Sequence, residues 1–205
     1  KKFDYAVEDY NVAIRLNSDD AQAITGRGLS LHCLGDFQLA LADFETVVKL
    51  QPQSGEALVN RGDVFQKLGR WQEGADDYRA ANKLAESAVA CQRLAWVLAT
   101  CPEKKVRDID GALGMAKKAV VLGGRSAINL DTLAACEAAK GDFDAAKATQ
   151  KKVIGLVGAE EEMTAKRFEA RLMLYEKSEP YLQTEASVKE MLQDAQSQSN
   201  DSIKK

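Results

Sequence analysis

Histidine is nearly missing from this sequence: His32 is the only one among 205 residues. Proline occurs three times, and aromatic residues make up only 6% of the chain. A single histidine, tied by no motif to a carboxylate or nucleophile, leaves no general-base constellation, so the chain is read as a non-enzyme. The four cysteines, Cys33, Cys91, Cys101 and Cys136, lie far apart in apolar helical runs. That is the usage of small buried hydrophobes in a reducing compartment, and a disulfide framework is not expected. No CxxC or HxxxH spacing occurs, and the neighbours His32 and Cys33 point to different sides of a helix, so neither a metal nor a cofactor is expected. Charge of one sign is also scarce. The 28 basic and 31 acidic residues give a net charge of -3, and no like-charge block exceeds Glu160 to Glu162. Such a surface offers no footprint for nucleic acid. Long apolar runs are absent as well: "AACEAA" falls far short of a bilayer span, and no charged-then-apolar leader opens the residues. Neither a membrane partner nor a signal segment is expected, and the expected location is cytoplasmic.

What the sequence does have is a sentence stated twice. Residues 34–50 read "LGDFQLALADFETVVKL" and residues 68–84 read "LGRWQEGADDYRAANKL". In the first copy the apolar positions are Phe37, Leu41, Phe44, Val47, Val48 and Leu50, a spacing near three and four that fits an amphipathic helix rather than a strand. "AITGRGLSLHCL" ahead of it is also helical in period, with Gly35-Asp36 as the break. Pro52 disfavours helical backbone at Gln51, which predicts the helix end there. The unit is therefore helix, short turn, helix, with a period of 34 residues.

This pattern resembles the tetratricopeptide repeat. Its small and aromatic positions are met by Gly28, Phe37, Ala40, Phe44, Val47 and Pro52 in one unit, and by Gly62, Trp71, Gly74, Tyr78 and Ala81 in the next. "FDYAVEDYNVAIRLN" supplies Phe3, Ala6, Tyr10 and Ala13, the second helix of a unit whose first helix would lie upstream. Residues 88–122 keep Leu94, Ala95, Ala112 and Ala119 around the long connection "CPEKKVRDIDG", and residues 127–154 restore the pattern with Leu133, Ala134, Gly141, Phe143, Ala146 and Val153. These last two segments resemble a stretch of large tetratricopeptide proteins of planctomycete-like bacteria, where arrays often follow kinase or other enzymatic domains. The resemblance implies an all-α fold, a right-handed superhelical solenoid of antiparallel helix pairs with a C-terminal capping helix. The expected domains are an array over 1–158 (1–20, 21–54, 55–87, 88–126 and 127–158), a capping helix and end segment at 159–183, and a polar tail at 184–205. Small residues let helix backbones approach, aromatics fill the gap to the neighbour, and single hairpins must stack to bury their apolar faces.

Three other stretches have ordinary readings. "LGGRS" at 122–126 is glycine-rich, but no strand precedes it and no Lys-Ser or Lys-Thr follows at P-loop spacing, so it reads as a helix-ending turn. The glutamates of "AEEE" suit a helix N-terminus better than paired catalytic carboxylates. Cys101 in "ATCP" has no histidine near it in sequence, and buried packing is preferred over a nucleophile.

Recognition remains. In the family, first helices line a concave face, and the resemblance assigns to it Thr25, Leu29, His32, Val59, Asp63, Gln66, Gln92, Trp96, Thr100 and Asp131, with Gln22, Glu56, Val89 and Ile128 also pointing inward. This mixed, mostly neutral groove lacks the basic set of members that clamp chaperone C-termini: Thr25 and Leu29 replace the first pair, although Asn60 matches the middle element. Trp96 reads either as a groove anchor or as packing under the next unit. Arg27 and Arg61 occupy positions that are usually apolar, and the recurring acids Asp9, Asp43 and Asp77 predict ion pairs between units, Arg27 with Asp9 and Arg61 with Asp43. The expected function is a scaffold that binds a peptide or protein segment in the groove. The alternative is an intramolecular docking or spacer element of a larger multidomain bacterial protein such as a kinase. The expected partner is a protein or peptide, with self-association through the N-terminal edge as a further route.

Overall fold

The computed structural model describes residues 2–157 and 162–183. The expected polar tail at 184–205, and Glu160 and Glu161 of the acidic trio, lie outside the described residues. Among the described residues there are ten helices and no strand: α1 (Lys2–Leu16), α2 (Ala21–Leu34), α3 (Phe37–Leu50), α4 (Gly55–Lys67), α5 (Trp71–Leu84), α6 (Ala88–Thr100), α7 (Ile109–Gly123), α8 (Ala127–Ala139), α9 (Phe143–Leu156) and α10 (Glu162–Glu176). They form two compact units, α1–α5 and α6–α10, divided between Leu84 and Ala85.

Local chemistry marks the helix ends. Asp20, Ser54, Ser87, Asp108, Ser126 and Asp142 each accept a backbone N–H of the first turn that follows, satisfying donors that have no partner within the helix. The hairpin turns at Gly35, Gly69 and Gly141 need φ of 87°, 73° and 89°, a region that residues with a Cβ avoid. In the long connection after α6, Val106 is buried and the Asp108 amide donates to the Leu98 carbonyl, so this loop is tied down at both ends.

In the first unit, α2 pairs with α3 and α4 with α5, while α1 packs on α2 and α3 on α4. The pairing depends on rings pressed against glycines. A methyl group added at Gly28 would stand 3.0 Å from the Phe44 ring, and at Gly62 only 2.7 Å from the Tyr78 ring. Phe44 and Tyr78 are accordingly buried to about the last atom, at 1% and 0% exposure. Tyr10 of α1 repeats the device against Gly26. The core of this unit joins Leu31, Leu41, Phe44, Val64 and Phe65 across three successive helices.

In the second unit, α6 pairs with α7 and α8 with α9, α6 and α8 lie side by side, and α10 packs on α9. Alanines occupy the crossings here: Ala95, Ala112, Ala116, Ala119, Ala134 and Ala146 are all fully buried. α10 takes the place of a next first helix, covering α8 and α9 with Phe168 and Tyr175.

The cysteines divide. Cys91, Cys101 and Cys136 are buried as expected, but Cys33 near the end of α2 is exposed, a correction to its reading as a core hydrophobe. Burial pushes all four thiols up, Cys33 included, so access rather than acidity separates them: only the Cys33 side chain is exposed to reagent. Titration with a chromogenic disulfide should therefore show one fast thiol in the native protein and four after denaturation. Two or more fast thiols in the native state would contradict the burial described.

Candidate functional site

The arginines predicted to pair with acids do so, but with different acids. Arg27 donates Nε to Asp43 Oδ2 at 2.9 Å and Nη2 to Asp43 Oδ1 at 2.6 Å, while its Nη1 reaches Asn11 Oδ1 at 2.7 Å. Arg61 repeats the geometry on Asp77 at 2.8 and 2.7 Å. The expected inter-unit pairs of Arg27 with Asp9 and of Arg61 with Asp43 are thus replaced by forked pairs inside each hairpin. The reason is direction: the arginine stands on the face of the first helix that meets its own second helix. The preceding unit contributes only side support, from Asn11 for Arg27 and from the charge of Glu45 for Arg61. Fork geometry fixes the register of the two helices.

The expected groove residues of the first unit separate into two sets. Thr25 and Leu29 line an open cavity of about 470 Å³ between α2 and α4, together with Gln22, Val47, Glu56 and Asn60. Leu29 is 45% exposed, unusual for a leucine on a packed helix. Asn60 has its side-chain nitrogen buried without a hydrogen-bond partner, a position that calls for an acceptor. The remaining four do not line this cavity. Val59 is buried, the His32 ring meets Phe37 edge-on at 5.4 Å, and Asp63 and Gln66 clasp the Tyr78 hydroxyl, which donates to Asp63 at 2.7 Å and accepts from Gln66 at 2.6 Å. The aromatic that fills the hairpin gap also draws these polar side chains onto its tip.

The second unit differs more from expectation. Gln92, Thr100 and Asp131, expected to face a groove, are all buried. Gln92 donates to Thr132 at 2.7 Å between α6 and α8. Asp131 accepts both Arg171 Nε and Nη2 at 2.8 Å, and Gln150 donates to it at 3.0 Å. Burial pushes the Asp131 carboxyl up, against the opposing pull of Arg171 and Gln150. Trp96 is half-buried, and its ring meets Tyr181 at 5.6 Å with the Arg171 guanidinium 5.5 Å above it. Gln183 donates its amide nitrogen to the Thr100 carbonyl at 2.7 Å and its side chain to the Thr100 hydroxyl at 2.6 Å. Arg171, Tyr181 and Gln183 were not among the expected site residues; all three fall in the stretch 159–183 read as a capping helix and end segment. An aromatic and a leucine directly after Pro180 were the available signal of a segment that packs. Val89 and Ile128, at the other end of the same face, are exposed.

Residues 27–89 match the profile of the family described as Tetratricopeptide repeat. Solved structures extend the likeness in fold to most of the chain. MamA from Desulfovibrio magneticus RS-1 is 22% identical, with 75% of this chain and 85% of that one covered at a TM-score of 0.64. TTC0263, a thermophilic tetratricopeptide protein of Thermus thermophilus, is 18% identical over 84% of this chain and 91% of its own, at 0.67. YrrB, described as a tetratricopeptide protein with an unusual peptide-binding site, is 20% identical over 92% and 91%, at 0.61. No curated relative matches the sequence. Among the described residues no helix is long and apolar enough to cross a membrane.

The buried pair makes a checkable demand. Arg171→Met leaves the Asp131 charge buried with one neutral donor, and should cost about 3–5 kcal/mol of stability at neutral pH. Without the guanidinium, the folded carboxyl binds its proton more tightly than the unfolded one. Protonation then favours the folded variant at acid pH, and that advantage fades as pH rises through the folded value. Denaturant melts should show a smaller loss at about pH 4 than at about pH 8. Equal losses at both would contradict a desolvated Asp131.

Proposed function

We propose that the chain is a protein-interaction scaffold whose α2–α4 face takes an extended peptide or protein segment. The observation that supports it most is the open cavity where Leu29 stands exposed beside Thr25 and an Asn60 amide nitrogen that no protein group satisfies. An apolar side chain of the ligand would cover Leu29, and the Asn60 side chain would turn outward so that its amide nitrogen, now buried, donates to a backbone carbonyl of the ligand. The fold likeness to YrrB, whose description includes a peptide-binding site, supports the same reading. The mixed wall, with Gln22 and Glu56 beside Leu29 and Val47, fits an uncharged or weakly basic segment better than an acidic tail.

The reading as a docking or spacer element of a larger protein draws on a different observation. Tyr5, Val12 and Leu16 recur at helical spacing along one stripe of α1 and are 65%, 48% and 84% exposed. That stripe suits a neighbouring segment or a second copy, and a spacer of this kind needs no free peptide.

Selection of linear peptides from a phage-displayed random library against the whole chain separates the two. A scaffold yields peptides whose binding weakens about ten-fold or more in Leu29→Arg and measurably in Asn60→Ala, while both variants keep the melting midpoint of the parent within a few degrees. Failure to select any peptide, or selected peptides indifferent to Leu29→Arg, would remove the α2–α4 face from consideration.

A further inference from the structure

The chain that follows α10 behaves unlike the rest of the second unit. Glu176 to Pro180 are exposed, and then Tyr181 and Gln183 turn back onto the ends of α8 and α6. What they enter is a slot with two chemically distinct parts. The Tyr181 ring packs beside both the Trp96 ring, 5.6 Å away, and the Arg171 guanidinium, 5.3 Å away, which the buried Asp131 holds in place over the Trp96 ring at 5.5 Å. A cation stacked on an indole presents a flat, polarised edge against which an aromatic side chain packs.

The second part selects a donor. The Thr100 hydroxyl already donates to the Trp96 carbonyl at 2.7 Å, so its oxygen can only accept, and Gln183 supplies a carboxamide N–H. The adjacent Thr100 carbonyl, left over at the end of α6, accepts the Gln183 backbone N–H. A segment with an aromatic residue and a carboxamide two positions later meets every demand of this face. These are the terms on which a peptide binds, although here the peptide is the protein's own.

We propose that residues 180–183 are a built-in ligand of the α6–α8 face, occupying in cis a site that accepts a segment with an aromatic residue and a carboxamide two positions on. Release of the strap frees the slot for such a segment in trans, including the strap of a second copy. Loss of the strap's hold leaves Phe168 and Tyr175 of α10 packed on α8 and α9, so the face keeps its shape. The proposal concerns a different face from the α2–α4 cavity and does not depend on it.

The probe is a fluorescein-labelled peptide of residues 177–183, "KSEPYLQ", titrated into the full chain and into a full-length variant with Tyr181→Ser and Gln183→Gly. Fluorescence anisotropy should show the peptide binding the variant about ten-fold or more tighter than the parent, and a peptide with serine in place of its tyrosine should lose that gain. Equal binding to parent and variant, or none to a variant that still unfolds cooperatively, would overturn the proposal. Should the variant fail to fold, hydrogen exchange on the unaltered chain decides instead. The Gln183 amide should exchange about ten-fold or more faster than the Leu98 amide, since a strap opens while α6 stays folded. Exchange of both at one rate would make the strap part of the core and end the proposal. None of these outcomes bears on the Leu29 test of the other face.

Discussion

A ring lying against a bare backbone governs this structure. Where Phe44 meets Gly28 and Tyr78 meets Gly62, the helices of a hairpin come close enough that one added methyl would stand 3.0 or 2.7 Å from the ring. That approach fixes which side of the first helix turns inward toward its partner. It therefore also fixes which side is left over. Forked pairs of Arg27 with Asp43 and Arg61 with Asp77 work on the same hairpins, and they hold register more than they add stability, because desolvation offsets much of their attraction. Leu29 and Thr25 face the cavity because Gly28 and Arg27, their neighbours in sequence, are committed to the hairpin.

The two units use their left-over faces differently. In the first, the α2–α4 face is open and carries an exposed leucine and an amide nitrogen without an acceptor. In the second, the corresponding side of α6 and α8 is met by the chain's own Arg171, Tyr181 and Gln183. In the second unit α10 lies over α8 and α9. Its arginine on a buried aspartate leaves a guanidinium facing Trp96, and that guanidinium becomes the wall for Tyr181. The covering helix and the occupied slot are consequences of one another.

Much of this was legible in the sequence, and the rest was not for definite reasons. The period, the turn glycines and the small and aromatic positions all follow from local geometry, so the ten helices of the described residues stand where the pattern places them. The partners of Arg27 and Arg61 were misassigned because acids recur with the repeat, and a periodic pattern cannot tell the acid of the same hairpin from that of the one before. Val59, Asp63 and Gln66 were placed in the groove by position alone, whereas the tip of Tyr78 draws two of them away and the core takes the third. The fates of Asp131 and Trp96 rest on residues 40 to 85 positions further along, beyond the reach of any local rule. Trp96 consequently fits neither expectation: it is half-buried, and what it anchors is the protein's own Tyr181.

The glycine-to-ring approach can be tested by asking whether its cost depends on the ring. In the parent, Gly62→Ala should destabilise by about 1–3 kcal/mol, because the Tyr78 ring is held by Asp63 and Gln66 and cannot give way. Once Tyr78→Ala has removed the ring, the same Gly62→Ala change should become neutral or stabilising by up to about 1 kcal/mol, as alanine replaces glycine within a helix. Chemical denaturation of the four chains in this cycle measures the difference. A reversal of sign between the two backgrounds is the predicted result; an equal cost in both would contradict the view that ring-on-glycine packing sets the hairpin and the faces it leaves free.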